Sequence, residues 1–191
     1  MVKSKMLNRT ILFFFLLPLY LFAEYSPQSI AYELKSASVR HDIDMRVLYT
    51  LAKIESQFNP LVISFISKDK NYSFNNLDKK VRKYKNSYII NFFGDEEDLK
   101  NALKVLMNKK LKVDVGLMQI NSVNFNSDEI DKIFKLEYNI DKSSKILKQC
   151  INIKKQLKDS IECYNKGIKK PVEYSYFNRF KTNFNKDFAY E

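Results

Sequence analysis

In the segment "DMRVLYTLAKIESQFNP", positions 48, 51, 52, 55 and 58 fall on one side of an α-helix, because residues three or four apart share a face. Four of them are Leu48, Leu51, Ala52 and Phe58, and the fifth is Glu55. A carboxyl group held among apolar neighbours loses hydration, which disfavours its charged form and raises its pKa. Such a group keeps its proton near neutral pH and can donate it, as a general acid must. A competing role stays open, since a glutamate in the last turn of a helix can also swing to solvent or pair with a lysine.

Few other chemistries can be assembled from this chain. His41 is the only histidine and lies in a polar turn with no nucleophile motif beside it, so a Ser-His-Asp arrangement lacks parts and a surface histidine is expected. Cys150 and Cys163 lack metal-ligand spacing, so no metal site is expected. Three glycines, Gly94, Gly116 and Gly167, cannot build a dinucleotide fingerprint or a phosphate loop.

Three motifs occur in order: "ESQFNP" at 55–60, "GLMQIN" at 116–121 and "YNKG" at 164–167. Together they resemble the lytic transglycosylases, which cleave bacterial peptidoglycan. The resemblance runs from about Ile30 to Phe180 and implies a mainly α, lysozyme-like single domain with at most a small β-hairpin. It implies that Glu55 is the catalytic acid, that Gly116, Leu117, Met118 and Gln119 line the sugar cleft, and that Tyr164, with Asn165, closes over the glutamate. Ser56 is expected to bind a substrate group or a water, and the amides of Gln119 and Asn121 to serve acetamido groups; for Met118 and Asn121 core packing competes with the cleft role. Two positions depart from the family pattern. Lys166 stands where a small residue is usual and Cys163 where alanine is common.

The implied substrate alternates N-acetylmuramic acid and N-acetylglucosamine and is cut at the β-1,4 bond, with no cofactor. Most glycosidases pair two carboxylates, yet no second carboxylate belongs to these motifs; Asp114, two residues before Gly116, is read as structural or capping. One acid suffices if the muramic acid's own C6 hydroxyl attacks C1 and gives a 1,6-anhydro sugar. A hydrolytic muramidase and a catalytically idle wall-binding or assembly protein of the same fold are the alternatives. "GLMQIN" is reached through a predicted helix and "VDV" instead of a short "GA.GLMQ" approach. That resembles the small branch associated with conjugation and with type IV and type III secretion, whose apparatus proteins are the implied partners.

The elements that must position these residues are legible in part. Pro27 opens a first helix with Ile30, Leu34 and Ala37 on one face; Asp44 caps the second, with Ile43 and Leu48 as a hydrophobic staple and Asn59-Pro60 as its end. "LVISF" and "YIINFF" are expected to pair as short strands around a polar loop, roughly 68–86. Asp95 caps a helix with Leu99, Ala102, Leu103 and Leu106 inward, and further helices are expected at 140–157 and 161–165. An aromatic stripe, Tyr174, Phe177, Phe180, Phe184 and Phe188, marks a last helix over 171–190 that starts at Pro171.

Residues 1–23 read as a secretory signal peptide: Lys3, Lys5 and Arg9 precede an apolar run from Ile11 to Phe22, with cleavage expected after Ala23. An uncleaved anchor is the alternative, but the run falls short of the ~20 apolar residues that span a bilayer, and Pro18 interrupts it. Removing 23 of 191 residues leaves 24–191 as one exported domain, expected in the periplasm or cell envelope as a monomer. It then carries 30 Lys and Arg against 22 Asp and Glu, a net +8. The cations are scattered, not gathered into a nucleic-acid module, so no nucleic-acid partner is expected. An even cysteine count in an exported chain permits a Cys150–Cys163 disulfide, with two buried thiols as the other reading.

Overall fold

The computed structural model describes residues 25–189, so the expected signal peptide lies outside the described residues. Helix α1, Pro27–His41, starts where the Ser26 side chain accepts the Ser29 N–H and Pro27 needs no partner for a missing N–H. It ends at Asp42 in a left-handed conformation, and α2, Met45–Ser56, begins three residues later with Asp44 accepting the Arg46 N–H at 2.8 Å. Ile43 and Leu48 are both buried, as a staple requires. His41 is not the free surface residue expected: its Nε2 lies 2.7 Å from Asp141, which ties α1 to a later helix.

Among the described residues five strands form one antiparallel sheet: β1, Val62–Ser67; β2, Asp78–Tyr84; β3, Ser87–Phe93; β4, Val113–Val115; and β5, Ile120–Asn121. Their order is β2-β3-β1-β4-β5. The expected pairing of the two apolar runs is present, with Ile63 opposite Phe92 and Phe65 opposite Ile90, all four buried. The sheet is nevertheless larger than a small hairpin, and the segment 68–86, expected as loop, contains β2. Every side chain of β2 is exposed, and Lys79, Lys80, Arg82 and Lys83 erase the apolar alternation by which a strand is read. Backbone pairing with β3 holds it instead.

Helix α3, Glu96–Asn108, buries Leu99, Ala102, Leu103 and Leu106 as its spacing predicts, although Asp95 makes no side-chain capping bond. The C-terminal half is α4, Leu136–Lys154; α5, Leu157–Lys166; and α6, Ser175–Phe188. Helix α6 begins four residues after Pro171, where sequence placed its start, because contacts from α5 hold the chain at residues 173–177. Phe180 is buried, Phe177 and Phe184 pack against the core, and Phe188 meets Tyr49 of α2 edge-on. Tyr174 stays outside the helix and donates to Asp159 at 2.6 Å. Lys53 and Asp187 add an ion pair at 2.6 Å between α2 and α6. No helix among the described residues is long and apolar enough to cross a membrane.

Cys150 and Cys163 form a disulfide that joins α4 to α5, 13 residues apart in sequence. Closing so short a loop restricts the unfolded chain by about 3 kcal/mol on a chain-entropy argument. A Cys150→Ser, Cys163→Ser variant is therefore expected to lose about 2–3 kcal/mol of stability in urea unfolding. An unchanged midpoint and slope would show that the bridge contributes nothing.

Candidate active site

Glu55 is the penultimate residue of α2, and the chain leaves that helix abruptly. Gln57 and Phe58 both take left-handed backbone conformations (φ 57° and 62°), with the Gln57 N–H bonded to the Lys53 carbonyl oxygen at 3.1 Å. The helix thus stops before Asn59-Pro60, and Asn59 accepts the Leu61 N–H at 2.9 Å to complete the turn. Phe58 leaves the helical stripe but still packs on Tyr49, with ring centroids 4.9 Å apart. Glu55 is left on the last turn, partly accessible along one edge and crowded by protein elsewhere.

That edge opens on a cavity of about 810 Å³, whose walls include Glu55, Asp114, Gln119, Asn121, Tyr164 and Asn165. Lys112, Lys166 and Lys169 stand at its margin, and both disulfide cysteines contribute to its wall. A hollow of similar volume between α1 and the start of α4, lined by residues such as Tyr32 and Glu33, holds none of the motif residues.

Burial is the dominant influence on Glu55 and raises its pKa from 4.5 to about 7. The Tyr176 hydroxyl, which donates to Oε1, and the Arg179 guanidinium pull the other way by favouring the anion, while Asp114 adds to the rise. Burial also raises the Asp114 pKa, opposed by the hydrogen bond it accepts from Asn121 Nδ2 at 2.7 Å. Both phenols, Tyr164 and Tyr176, are pushed upward chiefly by burial and then by the nearby Glu55 charge, so they act as donors and not as ionising groups.

The motif residues divide into those that face the cavity and those that build its wall. Leu117 and Met118 have no exposed surface and belong to the core, so their side chains do not line the cleft. Gly116 (φ 77°) is a structural requirement: a Cβ there would lie 2.4 Å from Asn139 Nδ2. Asn139, wholly buried on α4, donates to the carbonyl oxygens of Val115 (3.1 Å) and Ile133 (2.8 Å) and accepts the Met118 N–H (2.8 Å). Its side chain thereby fixes the turn that presents Gln119, whose Nε2 donates to the Gly116 carbonyl oxygen at 2.9 Å.

Ser56 turns its hydroxyl back to the Ala52 carbonyl oxygen (3.4 Å) and lies off the cavity wall. Asn121 reaches the cavity, but its amide is engaged with Asp114 and with the Val123 N–H. Tyr164 was expected to hold the glutamate; its hydroxyl instead donates to the Met118 carbonyl oxygen at 2.9 Å. Tyr176 takes that place. In the sequence Phe177, next to it, satisfies the aromatic stripe and masks it, although Tyr176 lies four residues before Phe180 on the same side. Asn139 was equally readable, as a polar residue between Leu136, Ile140 and Leu147 on an apolar face.

A family model, the Transglycosylase SLT domain, matches residues 33–183, a span that contains all three motifs and Tyr176. The chain belongs to the SLT transglycosylase domain family. No curated protein and no solved structure matches it. The SLT family comprises lytic transglycosylases, which act on peptidoglycan in the cell envelope, and its lysozyme-like fold accords with the helices and small sheet found here.

In this SLT domain the raised Glu55 pKa has a thermodynamic consequence. The folded state binds the proton more tightly than the unfolded state, so Glu55's contribution is complete below pH 4.5 and is lost as pH rises through 7. Relative to Glu55→Gln, which does not titrate, the wild type is expected to lose up to roughly 3 kcal/mol across that window and nothing further above it. Urea unfolding of both proteins from pH 4 to 8.5 measures this. Parallel stability curves would mean that Glu55 ionises as an ordinary surface carboxylate.

Proposed function

We propose that this protein is a peptidoglycan lytic transglycosylase that cuts the β-1,4 bond between N-acetylmuramic acid and N-acetylglucosamine, leaving a 1,6-anhydromuramic end, with Glu55 as the only acid and base. The observation that carries this reading is the place of Glu55, a carboxyl on the wall of a cleft large enough for sugar rings, where burial pushes its pKa up to about 7.

Glu55 gives its proton to the glycosidic oxygen as the C1–O bond breaks. The departing strand leaves as an alcohol, and the cationic muramic C1 is shared with the substrate's own acetamido oxygen. Tyr176, donating to Oε1, then stabilises the newly formed carboxylate, since a hydrogen bond to an anion is stronger than one to a neutral group. The same carboxylate takes the proton of the muramic C6 hydroxyl while O6 closes on C1, and the acid form is restored. Gln119 offers an amide to the acetamido groups, and Asn165 lies at the rim.

Asp114 supports one other reading. It is a second carboxylate in the same cavity, and a water activated there would make the reaction hydrolytic. Against it, the Asp114 carboxyl is bonded to Asn121 and its ionised form is disfavoured by burial. For cellular role we favour local wall opening for a conjugation or secretion machine, on the strength of the long approach through α3 and "VDV" to the "GLMQIN" motif.

Loss of a general acid costs about 100-fold or more in rate. Glu55→Gln is expected to abolish release of soluble muropeptides from purified sacculi to that extent while the circular dichroism spectrum stays unchanged. Release at the wild-type rate would identify a wall-binding protein that does no chemistry.

A further inference from the structure

Glu162 lies on α5 two residues before Tyr164, and no solvent reaches it. None of the three motifs gives it a task. A carboxylate so placed is costly unless charged and hydrogen-bonding partners compensate for lost water. Its Oε1 is 2.5 Å from Lys166 Nζ, one turn further along α5, an ion contact and not an aligned hydrogen bond. Its Oε2 accepts the N–H of Phe177 at 2.8 Å.

Phe177 is the third residue of α6, and its N–H is one of those that a helix start leaves without a partner in the helix. Tyr174, at the N-cap position, supplies no side-chain bond to that turn, so a carboxylate from α5 does the capping from outside and also opposes the helix dipole. Lys166 extends the same knot. Its Nζ donates to the Glu173 carbonyl oxygen at 2.8 Å and approaches Ser175 Oγ at 3.4 Å. The stretch before α6 packs no apolar side chain inward at Ile168 or Val172, exposed at 62% and 99%, and its other ties are the Tyr174 hydroxyl on Asp159 and Lys154 on the Ile168 carbonyl oxygen, neither of which reaches the first turn of α6. Between these two anchorages, at 175 and 177, stands Tyr176, whose hydroxyl meets Glu55.

We propose that the Glu162–Lys166 pair is a positioning device: it fixes the first turn of α6 so that Tyr176 is held against the Glu55 carboxyl. This rests on the reading of Glu55 as the acid, and it gives the departure at Lys166 a purpose. The groups facing Glu55 are Tyr176 and Arg179 from α6, Tyr164 from α5 and Asp114 from β4; of these, Tyr176 and Arg179 are carried by the helix that the pair anchors.

The test is a mutant cycle read in two ways, by titrating the Glu55 side-chain carboxyl with ¹³C NMR and by kinetics on purified peptidoglycan. Glu162→Gln removes the charge and keeps nearly the same shape. The Glu55 midpoint is expected to shift upward, because a looser Tyr176 stabilises the anion less. The kcat is expected to fall roughly tenfold with KM nearly constant, as for a misplaced catalytic group. Tyr176→Phe should raise the midpoint at least as far, and Glu162→Gln should add nothing in that background. Lys166→Met carries the same cycle if Glu162→Gln does not fold. An unmoved midpoint in Glu162→Gln, or shifts that add in the double variant, would overturn the proposal. A wild type that cleaves no wall would count against the reading of the site, while the titration cycle still decides the role of the pair.

Discussion

Water around the Glu55 carboxyl is what the surrounding structure has to control. For the reaction we propose, enough must be excluded to keep the proton on near neutral pH, and enough access must be left for a sugar oxygen to reach it. The abrupt end of α2 meets the second demand, because the left-handed turn at Gln57 and Phe58 removes the helix from in front of Glu55. The first is met by α5 and α6, which bring Tyr164 and Tyr176, and by the sheet, which brings Asp114. Opposing influences then leave the pKa near 7 and not higher: burial and, to a lesser extent, Asp114 raise it, and one phenol and one guanidinium hold it back.

Much of the remaining architecture braces these elements against one another. Asn139 is a cross-strut between α4 and the turn at Gly116: two of its hydrogen bonds, to Val115 and Met118, tie down the "GLMQ" segment, although the Leu117 and Met118 side chains never see the cavity. The disulfide holds α5 to α4, and the chain of aromatic contacts from Phe177 to Phe188 holds α6 along α2. Gly116 and the buried Asn139 amide thus shape the cleft through backbone position, while Glu55 and Gln119 present side chains to it and Tyr176 bonds the Glu55 carboxyl.

Features with a local physical signature were legible in the sequence. The apolar spacing of α2 exposes Glu55 as an anomaly, Pro27 and the Asp44 cap lie at true helix starts, and the apolar strands pair as expected. What escaped had a signature that only the fold supplies. Strand β2 carries no buried face, so no alternation could reveal it. The start of α6 is set by Glu162 and Lys166 from another helix, so Pro171, the local signal, misled. Tyr164 and Tyr176 differ in partner only because α5 and α6 meet Glu55 from different directions, and the motif alone pointed to the first.

On the mechanism we propose, one carboxyl group acts as acid and then as base, with the sugar's own hydroxyl in place of water. Digestion of purified peptidoglycan in H₂¹⁸O, followed by mass spectrometry of the released muropeptides, tests it most directly. Closure by the sugar's own O6 gives 1,6-anhydro ends that carry no ¹⁸O. Reducing ends labelled with ¹⁸O would contradict it and transfer the second step to a water activated by Asp114.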